Sequence, residues 1–125
     1  MIGLDTILNV FRGQRRSDKA KAVVTGAGSG IGRSFALELA RRGGEIICAD
    51  ISLERAKETV ALIDQLPTGK GHAVQCDVAD RTAIELLAKQ AQEIFGGAPT
   101  LVINNAGVGI GGKPVGDIGF EDWDW

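Results

Sequence analysis

From Lys19 onward the chain alternates short apolar runs with longer stretches of helical spacing, the pattern of a parallel sheet wrapped by helices. A strand with one wet face would alternate apolar and polar residues, and these runs do not, so both faces of each strand have to be covered. The spacing predicts strands at Ala22–Thr25, Glu45–Ala49, Ala73–Cys76 and Thr100–Ile103. Between them it predicts helices at Ile31–Arg42, Leu53–Leu66 and Arg81–Phe95. The stop signals agree: Gly43-Gly44 follows the first helix, Pro67 the second and Gly96-Gly97 the third. Right-handed crossovers with a reversal after the third strand give the order 3-2-1-4, a doubly wound α/β sheet. Its ligand crevice is expected between strands one and four, beyond their carboxyl ends.

Residues 19–125 are thus expected to form one incomplete domain, ending after its fourth strand. Residues 1–18 stand apart as an extension: Leu4, Ile7, Leu8 and Phe11 have the spacing of a short amphipathic helix, followed by Arg12, Arg15 and Arg16. A helix packed on its own domain and a frayed extension both account for it. A targeting or membrane-surface segment fits less well, because Asp5 interrupts the apolar part and no small-residue cleavage site follows. A net charge of −2 and a pI near 5.4 exclude a partner bound through its phosphate backbone, nucleic acid above all. No apolar run approaches the ~20 residues of a membrane span. Cys48 and Cys76 lie in apolar runs without metal-ligand spacing, which predicts reduced core thiols, no metal site and a cytoplasmic setting.

The glycines gather at 26–32 and 107–112, and the first group carries the chemistry. Thr25-Gly26-Ala27-Gly28-Ser29-Gly30-Ile31-Gly32 leaves a strand and opens a helix. In that position Gly26 serves a tight turn, Gly30 a close backbone approach to a pyrophosphate, and Gly32 tight packing of helix on sheet. The helix start then aims free N–H groups at the phosphates. Asp50, about twenty residues on at the end of the second strand, is placed to hold the adenosine ribose hydroxyls; a helix-capping carboxylate is the alternative. A 2′-phosphate near that carboxylate would meet repulsion of roughly 4 kcal/mol per charge pair at ~4 Å and an effective dielectric of ~20. NAD is therefore expected over NADP. Ser29 and Ile51 offer no cation there, and Arg33 and Arg55, on helices, are read as solvated charges.

Together with Asp77-Val78 after the third strand and Asn104-Asn105-Ala106-Gly107 after the fourth, the glycine segment resembles the short-chain dehydrogenase/reductase family, in its nucleotide-binding half. The resemblance implies an NAD-dependent oxidoreductase that moves hydride between alcohols and ketones, in a family that usually forms homo-oligomers. It implies cofactor contacts from Gly26, Gly28, Ser29, Gly30, Ile31, Gly32, Asp50 and Ile51. Asp77 and Val78 would meet the adenine, Asn105, Ala106 and Gly107 would line the nucleotide site, and Asn104 would brace the central sheet. Read from the residues alone, Asp77 could be only the N-cap of a helix. Residues 108–112 would be a mobile loop beside the nicotinamide, and 121–125 the start of the next helix.

The family's catalytic Ser, Tyr, Lys and Asn all fall downstream in its pattern, and this chain has no Tyr at all. A phenol with a pKa near 10 needs a neighbouring cation to act as a base at neutral pH. No catalytic residue is therefore assigned within 1–125, and no turnover is expected from this chain alone. His72 is read as a surface residue just before the third strand. The alternative to a half-enzyme is a non-catalytic NAD-binding module or relic that associates with a full-length relative.

Overall fold

A computed structural model describes Gly3, Leu4, Thr6, residues 15–108 and residues 117–119. Ile7, Leu8, Phe11 and Arg12 of the amphipathic pattern, positions 109–112 of the nicotinamide-side loop and the segment 121–125 lie outside the described residues, while Leu4 is exposed. The elements run β1 (Lys21–Thr25), α1 (Gly30–Arg41), β2 (Glu45–Asp50), α2 (Leu53–Asp64), β3 (Lys70–Gln75), α3 (Arg81–Phe95) and β4 (Leu101–Ile103). All pairings are parallel, in the order β3-β2-β1-β4. This is the doubly wound, Rossmann-like sheet expected from the sequence.

Successive strand residues point to opposite faces, and both faces of β1 and β2 are covered, which is why their runs read as uniformly apolar. On one face Ala22 and Val24 of β1 and Ile46 and Cys48 of β2 pack with Ala36, Leu39 and Ala40 of α1 and with Ala56 and Ile63 of α2. On the other, Val23, Ile47 and Ala49 pack with Leu87, Ala91 and Phe95 of α3. Cys48 belongs to the first face and Cys76 to the second, and both are buried free thiols. Burial pushes the Cys48 thiol up to about 12. Burial also raises Cys76, with the charges of Asp77 and Asp80 adding to the shift. Neither is a ready nucleophile at neutral pH. Among the described residues, no helix is long and apolar enough to cross a membrane, and no cluster of side chains could hold a metal ion.

Local capping sets the helix ends. Ser52 accepts the Arg55 N–H to start α2, and Asp80 accepts the Thr82 N–H at 2.8 Å to start α3. α3 stops at Gly96, whose φ of 67° is easily adopted only by glycine. α2 ends at Asp64, two residues before the predicted end, through turn bonds from Gln65 and Leu66 that precede Pro67.

The third strand begins at Lys70, not Ala73. Its ladder on β2 runs from Lys70 opposite Glu45 to Gln75 opposite Asp50. Lys70, Gly71 and His72 look polar because β3 is an edge strand, where one side is open to water. His72 therefore lies inside the strand, with Nε2 2.7 Å from Oε1 of Glu45. The hydrogen bond from His72, helped by the charges of His72 and Lys70, holds the Glu45 carboxyl below its ordinary value despite some desolvation.

A carboxylate with a lowered folded pKa stabilises the fold above its unfolded pKa and loses that contribution as pH falls through the folded value. Comparing melting temperatures of the parent and Glu45→Gln across pH 3–7, about the range spanning the ordinary Glu pKa of ~4.3, is expected to show the parent more stable at neutral pH. The gap should close below that value.

Candidate nucleotide site

β1 leaves the sheet through Gly26, at φ 65°, where a Cβ would come within 2.9 Å of Asn105 Nδ2 and 3.0 Å of the Ala106 Cα. The turn carries Gly28 onto the end of β2, and its N–H donates to Oδ2 of Asp50 at 2.9 Å. A Cβ on Gly28 would lie 2.7 Å from that same oxygen and from Cβ of Arg55. Gly32 presses the first turn of α1 onto the loop so closely that a Cβ there would stand 2.2 Å from the Gly26 carbonyl oxygen. These are the turn and packing roles read from the motif. Gly30 differs: its φ is 53°, and nothing lies within 4 Å of where its Cβ would be.

α1 also differs from its neighbours at its start. Ser29 is extended and makes no side-chain capping bond, and the first turn holds no acidic residue. The first-turn N–H groups and the positive end of the helix dipole thus face the space above Gly30.

Asp50 is 6% exposed. Its Oδ1 accepts the Ser52 N–H at 2.9 Å, so both carboxylate oxygens are held by backbone donors. Arg33 is not the solvated charge expected from the sequence, and Arg55, though half-exposed as expected, is also not free of partners. Arg55 brings Nη2 to 3.7 Å from Oδ1 of Asp50. Arg33 donates from Nε to Thr59 Oγ1 at 3.0 Å and from Nη2 to Glu58 Oε2 at 2.9 Å and to the Gly28 carbonyl. Thr59, fully buried, donates its own hydroxyl to the Ala27 carbonyl at 2.8 Å. Thr59 and Arg33 thus brace the glycine turn from behind, a role the sequence did not disclose because it joins helix positions 26 residues apart.

Asp77 and Val78 are exposed just past β3. Asp77 Oδ1 accepts the Ala79 N–H at 2.9 Å, and the α3 cap is Asp80, so the capping alternative for Asp77 does not hold. Beyond β4 the bracing role falls to Asn105 and not to Asn104. Asn105 Nδ2 donates to the carbonyls of Thr25 at 3.1 Å and Gly26 at 3.4 Å. The N–H groups of Asn105 and Ala106 both reach Thr25 Oγ1, at 3.1 and 3.0 Å. Thr25 is the missed partner, read only as a strand end. Asn104 instead lines a groove of roughly 290 Å³ on the α3 side of the sheet, with Val23, Val78, Leu87, Ala91 and Val102 among its walls. Glycines 26–32 and Asp50 do not line it.

The chain belongs to the short chain dehydrogenase family, whose model matches residues 20–125. It is 37% identical over 117 residues to (3R)-3-hydroxyacyl-CoA dehydrogenase of Rattus norvegicus, covering 89% of this chain and 45% of that protein. To 3beta-hydroxysteroid dehydrogenase of Mediterraneibacter gnavus it is 34% identical, covering 86% of this chain and 38% of that one. A crystal structure of hydroxysteroid dehydrogenase from Escherichia coli superposes with a TM-score of 0.73 at 33% identity, over 86% of this chain and 43% of that chain. The chain thus spans less than half the length of these relatives. The family is one of oxidoreductases that use nicotinamide dinucleotides.

Gly32→Ala drives a Cβ into backbone and is expected to cost several kcal/mol, of the order found for severe strain, in urea unfolding. Gly97→Ala, with nothing within 4 Å and an ordinary φ, should be close to neutral.

Proposed function

We propose that this chain is the dinucleotide-binding portion of an NAD-dependent alcohol or ketone oxidoreductase, and that it binds NAD without turning it over by itself. The observation that carries the reading is the open space over Gly30, next to an uncapped helix start and in the same turn as Gly28, whose N–H donates to the buried Asp50 carboxylate. The residues fit the group. Gly28, Ser29, Gly30, Ile31 and Gly32 would present backbone to the pyrophosphate. Asp50 has lone pairs left for the ribose hydroxyls, with Ile51 beside it. Asp77 and Val78 would flank the adenine, while Asn105, Ala106 and Gly107 would complete the wall toward the nicotinamide.

The bound cofactor would supply the hydride chemistry, and the protein orientation and proton movement. In the family the proton falls to Ser, Tyr and Lys residues of the portion this chain does not span. Relatives named for 3-hydroxyacyl-CoA and 3beta-hydroxysteroids both point to a secondary alcohol or its ketone as substrate class. The buried free thiols suit a reducing, cytoplasmic setting.

A second reading, a non-catalytic NAD-binding module that assembles with a longer relative, is favoured by one observation. β4 pairs only with β1 among the described residues, and its Val102 is 52% exposed. An apolar edge of that kind invites association.

Free NADH at about 100 times its Kd should stabilise the chain by about 2.7 kcal/mol, read as a rise in melting temperature. Gly30→Ala should abolish that rise with little change in the unliganded melting point, beyond the roughly 1 kcal/mol of a non-glycine residue at positive φ. Absence of any shift with the parent chain would count against nucleotide binding. Asp50→Ala should relax the preference for NADH over NADPH, and an unchanged preference would remove Asp50 from the specificity argument.

A further inference from the structure

The electrostatic case for NAD treats Asp50 as a lone charge, and the geometry shows that it is not one. Arg55 stands in the first turn of α2, with its guanidinium 3.7 Å from Asp50 Oδ1 and half-exposed. The other nearby cations are committed elsewhere. Arg33 is tied to Glu58, Thr59 and the Gly28 carbonyl, and Lys57 pairs with Glu54 at 3.1 Å. Arg55 has the Asp50 contact as its one side-chain partner among the described residues. It is also the residue whose Cβ closes over Gly28.

Resting on the nucleotide-binding reading above, we propose that Arg55 is a specificity-determining residue for the cofactor, one that counters Asp50 and lets the chain accept NADP as a weaker second ligand. A ribose that hydrogen-bonds Asp50 places its 2′-oxygen beside the Asp50–Arg55 pair. With NAD, Arg55 stays on Asp50. With a 2′-phosphate, the guanidinium turns its planar donor set from a buried carboxylate that keeps two backbone N–H bonds to a doubly charged, solvent-facing acceptor. Asp50 tolerates the loss because Gly28 and Ser52 still hold it. A long, half-exposed side chain can make that turn without moving α2.

The test is isothermal titration of NADH and NADPH into the chain, into Arg55→Gln and into Lys57→Gln. Lys57→Gln removes the same charge from the same helix, away from Asp50. Arg55→Gln is expected to weaken NADPH roughly tenfold, the worth of a charge-assisted hydrogen bond, while NADH changes no more than about twofold. Lys57→Gln should leave the ratio of the two unchanged. The NADPH affinity of the parent should also fall more steeply with salt than that of Arg55→Gln. NADH binding with an unchanged NADPH-to-NADH ratio in Arg55→Gln would overturn the role of Arg55 alone. An equal fall of the ratio in Lys57→Gln would overturn it too, as a general charge effect. Failure of the parent chain to bind either nucleotide would overturn the nucleotide reading, and Arg55 with it.

Discussion

Two backbone N–H groups, those of Gly28 and Ser52, converge on the carboxylate of Asp50 from either side. A carboxylate withdrawn from water this far is costly unless such donors replace the solvent. Satisfying it joins the turn after β1 to the turn after β2. The backbone of Asp50 extends the tie, because its carbonyl accepts the Cys76 N–H at 2.9 Å and so fixes the end of β3 as well. Three strand ends meet at one rim through bonds to this residue. Gly28 follows from this, since a Cβ there would compete for the space that the carboxylate fills. A nucleotide site at this rim would thus be preorganised by bonds that exist before any ligand arrives.

The fourth strand is held differently. β4 has only three residues, too few for the ladder to fix its end alone, and side chains do the rest. Thr25 accepts two consecutive N–H groups of the segment after β4, and Asn105 reaches back to two consecutive carbonyls of the turn after β1. The polar residues at this junction thus satisfy each other's backbone, as groups taken from water must. Gly26 allows it, because its positive φ turns the chain while leaving room for the Asn105 amide. The glycine loop and the segment 104–107 are two halves of one hydrogen-bonded unit, although nearly 80 residues separate them.

What could be read in the sequence was whatever acts locally. Alternating burial on two faces forces apolar runs, so strands and helices were legible, and α3 was placed to the residue, with its end marked by the closing glycine. The turn at Gly26 and the close packing at Gly32 follow from backbone conformation and close approach, which the motif encodes directly. The start of β3 was not legible: Lys70, Gly71 and His72 join the strand through pairing with β2, and no property of their own announces it. Long side chains were misjudged for a related reason. Arg33 and Arg55 sit at helical positions that look solvated, and only the packing of α1 against α2 and the curl of the glycine turn bring their guanidinium groups to Gly28 and Asp50. The shift of the bracing role from Asn104 to Asn105 is one of register, since neighbouring residues of an extended segment point opposite ways.

The same geometry separates two concavities. The steps from β1 to β2 to β3 move one way along the sheet and put α1 and α2 on one face. The return to β4 moves the other way and puts α3 on the opposite face. A further parallel strand outside β4 would continue in that second direction, and a right-handed connection to it must carry its helix across the α3 face. That path runs over the groove walled by Val23, Leu87, Ala91 and Val102. The lining of that groove is mostly apolar, with Thr25, Gln92 and Asn104 as its polar members. The polar rim of Gly28, Gly30 and Asp50 has the opposite character: backbone donors, one buried charge and open space above a helix start. A charged ligand therefore suits the rim at the strand ends, and an apolar group suits the groove, whose lining also includes Val78 and Ala106.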